Sequence, residues 1–491
     1  MKCREVMIHV GFAILLLQTP LAAQEMIWST TYGGQYNDNA YAGCQTDDGY
    51  ILLGSTFSYG SGGFDFYALR LGSAGDTVWT NTYGSTDAEL GYDVLATSDG
   101  GFVLLGSTRS YGAGGKDVYL VKIDSAGTML WQKTFGGSGN DEGRSIRETS
   151  DDGFIICGTT SSFGSGYDDL YFVRTDSVGD TIWTTAVGGA GGESGSAVCL
   201  TGDGGFMAVG STGSFGDGYS SIYGVRLDAD GDTLWTEVYG GSGADYAYDL
   251  ETTIDGGFVI AGGTSSSGAG YTDAYAVKID AGGVVQWEKT YGGRYDDRAY
   301  AVTRTLDGGY LLAGSTESFG AAEIDIYAIK IAPTGDTAWT RRYGGTKSDY
   351  GRTVFQETGR DYLVLGYSFS NSAGGSDVYL AKIAGESTPV EDDFDHLYPD
   401  DFVLEQNYPN PFNAVTIISY TIPRRTDVQF TVYNILGQEV YHEEFGSTAM
   451  GSYSLEWNGR DTSGRDVASG VYFYRVITTE SVQTKKMVLL K

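Results

Sequence analysis

Seven carboxylates recur at one place in a repeated segment, and they are the side chains best placed to do chemistry. Each follows a short glycine-rich stretch, at intervals of 51 or 52 residues: Asp38, Glu89, Asp141, Glu193, Asp245, Asp297 and Asp349. A ring of acidic groups could bind a cation such as calcium, a basic ligand or a sugar. Alternatively, each carboxylate accepts backbone N–H groups within its own turn. Seven equivalent copies favour the turn-holding role, because an active site normally consists of a few unlike residues.

The residues usually found in nucleophilic or redox catalysis form no recognisable set in the repeats. All three histidines lie outside them: His9, His396 and His442. A Ser-His-Asp or Cys-His arrangement therefore cannot form there. Three cysteines lie within the repeats without metal-like or redox spacing: Cys44, Cys157 and Cys199. A carboxylate pair for glycoside chemistry stays an alternative. The sequence predicts no defined catalytic set, no cofactor and no metal, with calcium left open.

A tryptophan recurs with the same period as the carboxylates. Its seven copies are Trp28, Trp79, Trp131, Trp183, Trp235, Trp287 and Trp339. A tyrosine keeps step at intervals of 52 residues: Tyr67, Tyr119, Tyr171, Tyr223, Tyr275, Tyr327 and Tyr379. A fixed period of this length indicates a repeat architecture.

One unit, from Gly91 to Phe135, shows what is repeated. Four short apolar runs separated by turn residues are predicted as strands: Tyr92–Thr97, Phe102–Gly106, Asp117–Asp124 and Met129–Phe135. The second run is apolar on both faces, so the sheet must be covered on both sides. Four-stranded sheets packed face to face in a ring form a β-propeller, and the kelch propeller period is similar, about 50 residues.

The two ends of the repeated region complement each other. The last unit, Gly351 to Ala384, lacks a tryptophan-bearing fourth strand. The strand Ile27–Tyr32 near the N-terminus carries the tryptophan of a fourth strand, but the first three strands of its unit do not precede it. Pairing them closes a ring and removes two exposed sheet edges. The predicted fold class is all-β, with a seven-bladed β-propeller over residues 24–384.

The turn before the tryptophan carries a pattern of its own, as in Gly75-Asp76-Thr77-Val78-Trp79 and Gly231-Asp232-Thr233-Leu234-Trp235. It resembles the tryptophan-docking motif of quinoprotein-type propellers. The resemblance implies that each indole wedges between neighbouring blades. It does not extend to a quinone cofactor, since the adjacent cysteine pair usual in those enzymes is missing from the sequence.

Charge and the N-terminal segment restrict the partners and the location. The net charge is −32, which argues against nucleic acid or an anionic membrane surface as partner. Lys2 and Arg4 precede the apolar run Val10–Leu17, and Ala22-Ala23 follows, so residues 1–23 are predicted to be a secretory signal peptide. No later stretch is apolar enough to predict a membrane span.

After residue 384 the period ends. Residues 385–401 are acidic and are predicted to be a linker, and residues 402–491 contain short alternating runs typical of an immunoglobulin-like β-sandwich. Several motifs occur there in order, among them Asn407-Tyr408-Pro409-Asn410-Pro411-Phe412-Asn413 and Ser469-Gly470-Val471-Tyr472. They resemble the type A C-terminal sorting domain of the type IX secretion system, which is itself similar to the immunoglobulin-like domain of flagellar hook-capping proteins.

The resemblance implies export to the periplasm and then passage through the outer membrane by the secretion machinery. The residues that would carry the sorting signal are Asn407, Pro409, Asn410, Pro411, Phe412, Gly437, Trp457, Gly470, Lys485 and Lys486. The alternative is an ordinary immunoglobulin-like accessory domain.

Together these features predict a secreted or cell-surface binding or adhesion protein whose propeller loop face recognises a polysaccharide or a protein. The alternatives are an extracellular carbohydrate-active hydrolase or lyase using carboxylates on that face, and a purely structural surface component.

Overall fold

The computed structural model describes residues 26–319, 323–357 and 361–385, and towards the C-terminus 402–404, 406–407, 410–413, 415–422, 426–448, 451–479 and 481–490. The predicted signal peptide and the linker from 386 onward lie outside the described residues. The chain divides into two compact units, one ending at Ser387 and the other beginning at Thr388. None of the described residues belongs to a helix long and apolar enough to cross a membrane.

The first unit is built of short antiparallel strands. Its first half contains β1 (Met26–Tyr32), β2 (Asp38–Thr46), β3 (Gly49–Thr56), β4 (Asp65–Gly72), β5 (Thr77–Tyr83), β6 (Glu89–Ala96), β7 (Phe102–Thr108), β8 (Asp117–Ile123), β9 (Met129–Phe135), β10 (Asp141–Glu148), β11 (Phe154–Thr160), β12 (Asp169–Thr175), β13 (Thr181–Val187) and β14 (Glu193–Leu200). Its second half contains β15 (Phe206–Thr212), β16 (Ser221–Leu227), β17 (Thr233–Tyr239), β18 (Asp245–Thr252), β19 (Phe258–Thr264), β20 (Asp273–Ile279), β21 (Val285–Tyr291), β22 (Asp297–Arg304), β23 (Tyr310–Thr316), β24 (Asp325–Ile331), β25 (Thr337–Tyr343), β26 (Asp349–Gln356), β27 (Tyr362–Ser368) and β28 (Asp377–Ile383).

These strands form seven four-stranded sheets, called blades 1 to 7 in chain order. Blade 1 is β2-β3-β4-β5, and each of the next five blades takes the next four strands in the same order. Blade 7 has the order β26-β27-β28-β1, so its outer strand comes from the other end of the unit. In that pairing Thr30 lies opposite Leu380 and Tyr32 opposite Val378.

The core lies between blades. The two middle strands of every blade are almost wholly buried, whereas most residues of the outer strand are exposed or half-buried. One apolar cluster joins each pair of neighbouring blades, and the last, with Leu52 and Leu380, joins blade 7 to blade 1. Burying both faces of each sheet is what holds the ring together. The predicted seven-bladed β-propeller is confirmed.

The recurrent tryptophan packs on a turn of the next blade. Gly231, in the turn before β17, has a φ of +87°, and a Cβ atom added there would lie 3.0 Å from the Trp183 ring. Trp79 also donates a hydrogen bond from Nε1 to the carbonyl of Ser125, at 3.1 Å. The indole therefore covers a turn that only glycine fits.

The second unit consists of β29 (Val403–Leu404), β30 (Thr416–Ile422), β31 (Thr426–Asn434), β32 (Glu439–Thr448), β33 (Gly451–Trp457), β34 (Gly470–Thr478) and β35 (Val482–Leu489). A three-stranded sheet, β29-β30-β33, and a four-stranded sheet, β32-β31-β34-β35, enclose one core. Its largest buried side chains include Trp457, Tyr474, Phe412 and Phe430. The predicted immunoglobulin-like β-sandwich is confirmed.

Candidate functional site: a tyrosine and arginine ring in the central channel

A β-bulge interrupts the innermost strand of every blade at the same position. In β6, for example, the pairing with β7 skips Tyr92, which lies between Gly91 and Asp93. The skipped residues, here called the channel ring, are Tyr41, Tyr92, Arg144, Ser196, Tyr248, Tyr300 and Arg352. A bulged residue is released from the regular pleat, so its side chain can be directed away from it.

All seven members of the channel ring line one cavity of about 460 Å³, which the inner strands of all seven blades surround. This cavity is the central channel of the propeller. Its volume falls within the range of small-molecule sites, roughly 300–1,000 Å³. Each ring member lies three residues beyond one of the seven carboxylates, so the ring lies just inside the loop face that the sequence nominated.

The tyrosines of the ring contact each other and the two arginines. The rings of Tyr41 and Tyr92 have centroids 5.9 Å apart, and those of Tyr248 and Tyr300 lie 5.0 Å apart. The Arg144 guanidinium lies 3.9 Å from the Tyr92 ring centroid. Burial raises the pKa of Tyr248 to about 12, so its phenol is a neutral hydrogen-bond donor at neutral pH. The arrangement offers flat aromatic faces, phenol hydroxyls and positive charge in one concave place.

Carboxylates occupy a further part of the same channel. Asp93 accepts the backbone N–H of Ile146 at 2.9 Å and forms an ion pair with Arg147 at 3.2 Å. Asp249 accepts the N–H of Val302, in the next blade, at 2.9 Å. Burial raises the pKa of Asp249 to about 7 and raises the pKa of Asp93 as well. These side chains tie neighbouring blades together, and Asp249 can hold or release a proton near neutral pH.

The seven carboxylates singled out from the sequence are buried, each at most 1% exposed. Every one accepts the backbone N–H of the residue four places earlier: Gly34, Ser85, Gly137, Gly189, Gly241, Gly293 and Gly345 donate these bonds at 2.7–2.8 Å. Asp245 also accepts the Ser266 hydroxyl at 2.7 Å. These are the contacts of carboxylates that hold their own turns, and none of the seven lines the channel. A ligand-binding role for them stays a prediction.

No group of three or more His, Cys, Asp or Glu side chains in the described part of the chain could hold a metal ion. Cys44, Cys157 and Cys199 are free thiols, and burial raises the pKa of each to about 12. At neutral pH they are therefore protonated and behave as small apolar side chains.

Several predicted sorting residues hold the second unit together. Asn407 is 2% exposed and donates from Nδ2 to the Thr416 hydroxyl at 2.9 Å. Phe412 packs on Trp457 with ring centroids 5.8 Å apart, and its N–H donates to the carbonyl of Val488 at 3.0 Å. Asn410 accepts the N–H of Val488 at 2.9 Å. These residues fix the position of β35.

The other predicted sorting residues are less enclosed. Pro411, Gly437 and Lys486 are exposed, and Gly470 and Lys485 are half-buried. Pro409 lies outside the described residues. A sorting role for these residues stays a prediction.

The channel ring was not identified from the sequence, although a signal for it exists. Its members recur with the repeat period, three places after each carboxylate. Tyrosine is also a common strand residue, so the four tyrosines of the channel ring fit an ordinary inner strand. Only the bulge, which depends on pairing with the neighbouring strand, sets them apart.

Part of the second unit is similar to a known domain family. The FlgD Ig-like domain family matches residues 414–481, within the second unit. The regulatory protein FlaEY of Caulobacter vibrioides is 24% identical over 396 residues, covering 73% of this chain and 39% of that protein. The chain therefore spans about two fifths of the length of this relative.

Two solved structures illustrate the likeness in fold. PorZ, an essential surface component of the type IX secretion system of Porphyromonas gingivalis, has a TM-score of 0.42 at 11% identity, over 94% of this chain and 61% of that chain. The β-propeller domain of the Trilobed protease from Pyrococcus furiosus has a TM-score of 0.38 at 10% identity, over 73% of this chain and 95% of that one.

Proposed function

We propose that this chain is a secreted or cell-surface binding protein whose propeller recognises a polysaccharide through the channel ring. The observation that carries the proposal is the ring itself, in which seven equivalent bulges direct four tyrosines, two arginines and one serine into one channel. If the seven bulged positions served only to close the propeller, small residues would fill them, and aromatic and cationic side chains would not be required there.

The chemistry of the ring suits a sugar. The C–H face of a pyranose is apolar and stacks on a flat aromatic ring, while its hydroxyls need hydrogen-bond partners. Tyr41 and Tyr300 supply both a face and a phenol, and their half-buried packing limits the entropy lost on binding. The symmetric repeat also gives several similar contacts, as a polymer of similar units requires.

The proposed route is export by a signal peptide, residues 1–23, followed by passage through the outer membrane guided by residues 402–491. The sorting motifs support this assignment of the tail, and the match of residues 414–481 to the FlgD Ig-like domain family supports its immunoglobulin-like fold. In this proposal the propeller, residues 24–384, is the passenger, and residues 385–401 link it to the tail.

An extracellular hydrolase is the second candidate, and Asp249 favours it. A carboxyl with a pKa near 7, in the same channel as Asp93, could serve as a general acid. The two functions differ in one measurable respect, because a hydrolase shortens the polymer that it binds.

The test is binding of the full chain to a panel of neutral and acidic polysaccharides, measured by calorimetry, with the polymer length determined after incubation. Tyr41→Ala and Tyr300→Ala should each weaken binding about tenfold, as expected for the loss of a stacked aromatic side chain. Tyr219→Ala is the matched control, since Tyr219 is 92% exposed and does not line the channel. Equal affinities for all three variants would contradict the channel as the site, and shortened polymer would favour the hydrolase.

A further inference from the structure

Arg352 differs from the other two arginines that line the channel, Arg144 and Arg147, in having no acidic partner among the described residues. Its guanidinium lies 4.1 Å from the Tyr300 ring centroid and 5.4 Å from that of Tyr367. Nη2 donates to the Tyr367 hydroxyl at 3.0 Å. Nε is buried and has no hydrogen-bond partner within the described part of the chain. A buried N–H left in this state costs free energy unless something binds it.

The repeats show what happens to a buried base elsewhere in the ring. One basic residue on the third strand of each blade pairs with an acid of a neighbouring turn: Arg70 with Asp48, Lys122 with Asp99, Arg174 with Asp151, Arg226 with Asp203, Lys278 with Asp255, Lys330 with Asp307, and Lys382 with Glu357. Arg144, the other arginine of the channel ring, pairs with Glu142 at 2.5 Å. The chain has 63 acidic and 31 basic side chains, so acids for pairing are plentiful.

We infer that Arg352 anchors a carboxylate of the bound polymer, so that the ligand class is an acidic polysaccharide. The inference rests on the proposed function and specifies its ligand. Arginine presents Nε–H and Nη–H groups in a planar fork that matches the two oxygens of a carboxylate. With Nε free and Tyr300 stacked on the guanidinium, one ligand group can meet the cation while its sugar ring contacts the tyrosines.

A peptide rich in acidic side chains would offer the same carboxylates, but the backbone of the channel does not suit it. Peptides commonly bind by adding a strand to an open sheet edge. Every inner strand is broken by a bulge at the channel ring, which interrupts the row of backbone groups that such a strand would need. The net charge of −32 opposes the approach of any polyanion, so selectivity must come from a local contact.

The experiment compares polygalacturonate with the same polymer after methyl esterification, which removes the charge and keeps the sugar backbone. The full chain should bind polygalacturonate at least tenfold more tightly than it binds the esterified polymer. Arg352→Gln should abolish that preference while changing the affinity for the esterified polymer less than twofold, and Arg352→Lys should restore part of it. Arg342→Gln is the control and should keep the preference, since Arg342 is exposed on the outer strand β25 and does not line the channel. Melting curves of each variant establish that the fold is intact.

Each outcome decides between the two proposals. If the parent chain binds both polymers equally, the polysaccharide function stands and the anion anchor is refuted. The anchor is also refuted if Arg352→Gln keeps the preference for polygalacturonate. Binding to polyglutamate and to neither sugar polymer would overturn the glycan assignment, and binding to none of the three would overturn the proposed function together with the anchor.

Discussion

Asp249 shows how position within the ring sets the chemistry of one side chain. It lines the channel, and its two oxygens accept N–H groups of Leu250 and Val302 at 2.8 and 2.9 Å. Those bonds favour the carboxylate, but burial acts more strongly and raises the pKa to about 7. The folded chain therefore binds this proton more tightly than the unfolded chain does.

A pH dependence of stability follows for Asp249. The contribution of Asp249 to the free energy of unfolding is most favourable at low pH. It is lost as pH rises from about 4 towards the folded-state pKa of about 7. Asp249→Asn has no charge to bury, so its free energy of unfolding should improve relative to the parent chain between pH 5 and pH 8. Urea unfolding at both pH values measures the difference.

Asp203→Asn is the control for that experiment. The Thr201 hydroxyl and Arg226 lower the pKa of Asp203, so its stabilisation is complete above the unfolded value and is lost only in more acidic solution. The difference between this variant and the parent should stay constant from pH 5 to pH 8. A constant difference for Asp249→Asn as well would show that its carboxyl is not destabilised by burial.

The spacing of the seven carboxylates could be read from the sequence, but their burial could not. Glu89 was expected in a loop before a strand starting at Tyr92, whereas β6 begins at Glu89 itself. Its carboxylate accepts the N–H of Ser85 at 2.8 Å, which compensates for the loss of water. A charge satisfied in this way can lie inside a protein, and no rule of composition reveals which charges are satisfied.

Two different reasons can require glycine in the turns of a blade, a positive φ and the space that a neighbouring tryptophan takes. Two glycines of blade 4 show the two cases. Gly204 and Gly231 have φ values of +83° and +87°. A Cβ at Gly204 would meet nothing within 4 Å, but one at Gly231 would lie 3.0 Å from Trp183. The first turn needs glycine only for its backbone, and the second also needs it to admit the indole of the preceding blade.

Substitution by alanine should reveal this difference. Gly204→Ala should cost about 1–2 kcal/mol, the strain of placing an L-residue in the left-handed region. Gly231→Ala should cost about 1–3 kcal/mol more, since the added methyl displaces the Trp183 ring. Chemical unfolding of both variants measures the two free energies. Equal losses would mean that the indole moves without cost and does not wedge the blades.

Strand positions were predictable where the pattern of buried residues is local. In the unit that begins at Gly91, the sequence predicts the third and fourth strands to within one residue, because runs such as Asp117–Asp124 are apolar on both faces and end at clear turns. The bulges were not predictable, since each depends on which residues of two strands face each other. That is why the strands of the site were expected and its ring of side chains was not.

The apolar packing of the first unit occurs between neighbouring blades. Each of its apolar cores is made by two adjacent blades, and none of them contains a described residue after Ile383. The period of 52 residues therefore specifies nearly the whole ring, and the pairing of β1 with β28 completes blade 7. The second unit has a core of its own.

Separate cores lead to a prediction about export. Deleting Phe402–Lys491 removes no described residue of any propeller core, so the truncated chain should fold and keep the melting temperature of the ring. In a host with a type IX secretion system it should accumulate in the periplasm, whereas the full chain reaches the cell surface. Fractionation followed by protease treatment of intact cells distinguishes the two locations.

As a positive control, residues 385–491 fused to an unrelated periplasmic protein should carry that protein to the surface. Surface exposure of the truncated chain would show that the tail is an accessory domain, since the ring would then be sufficient for its own export.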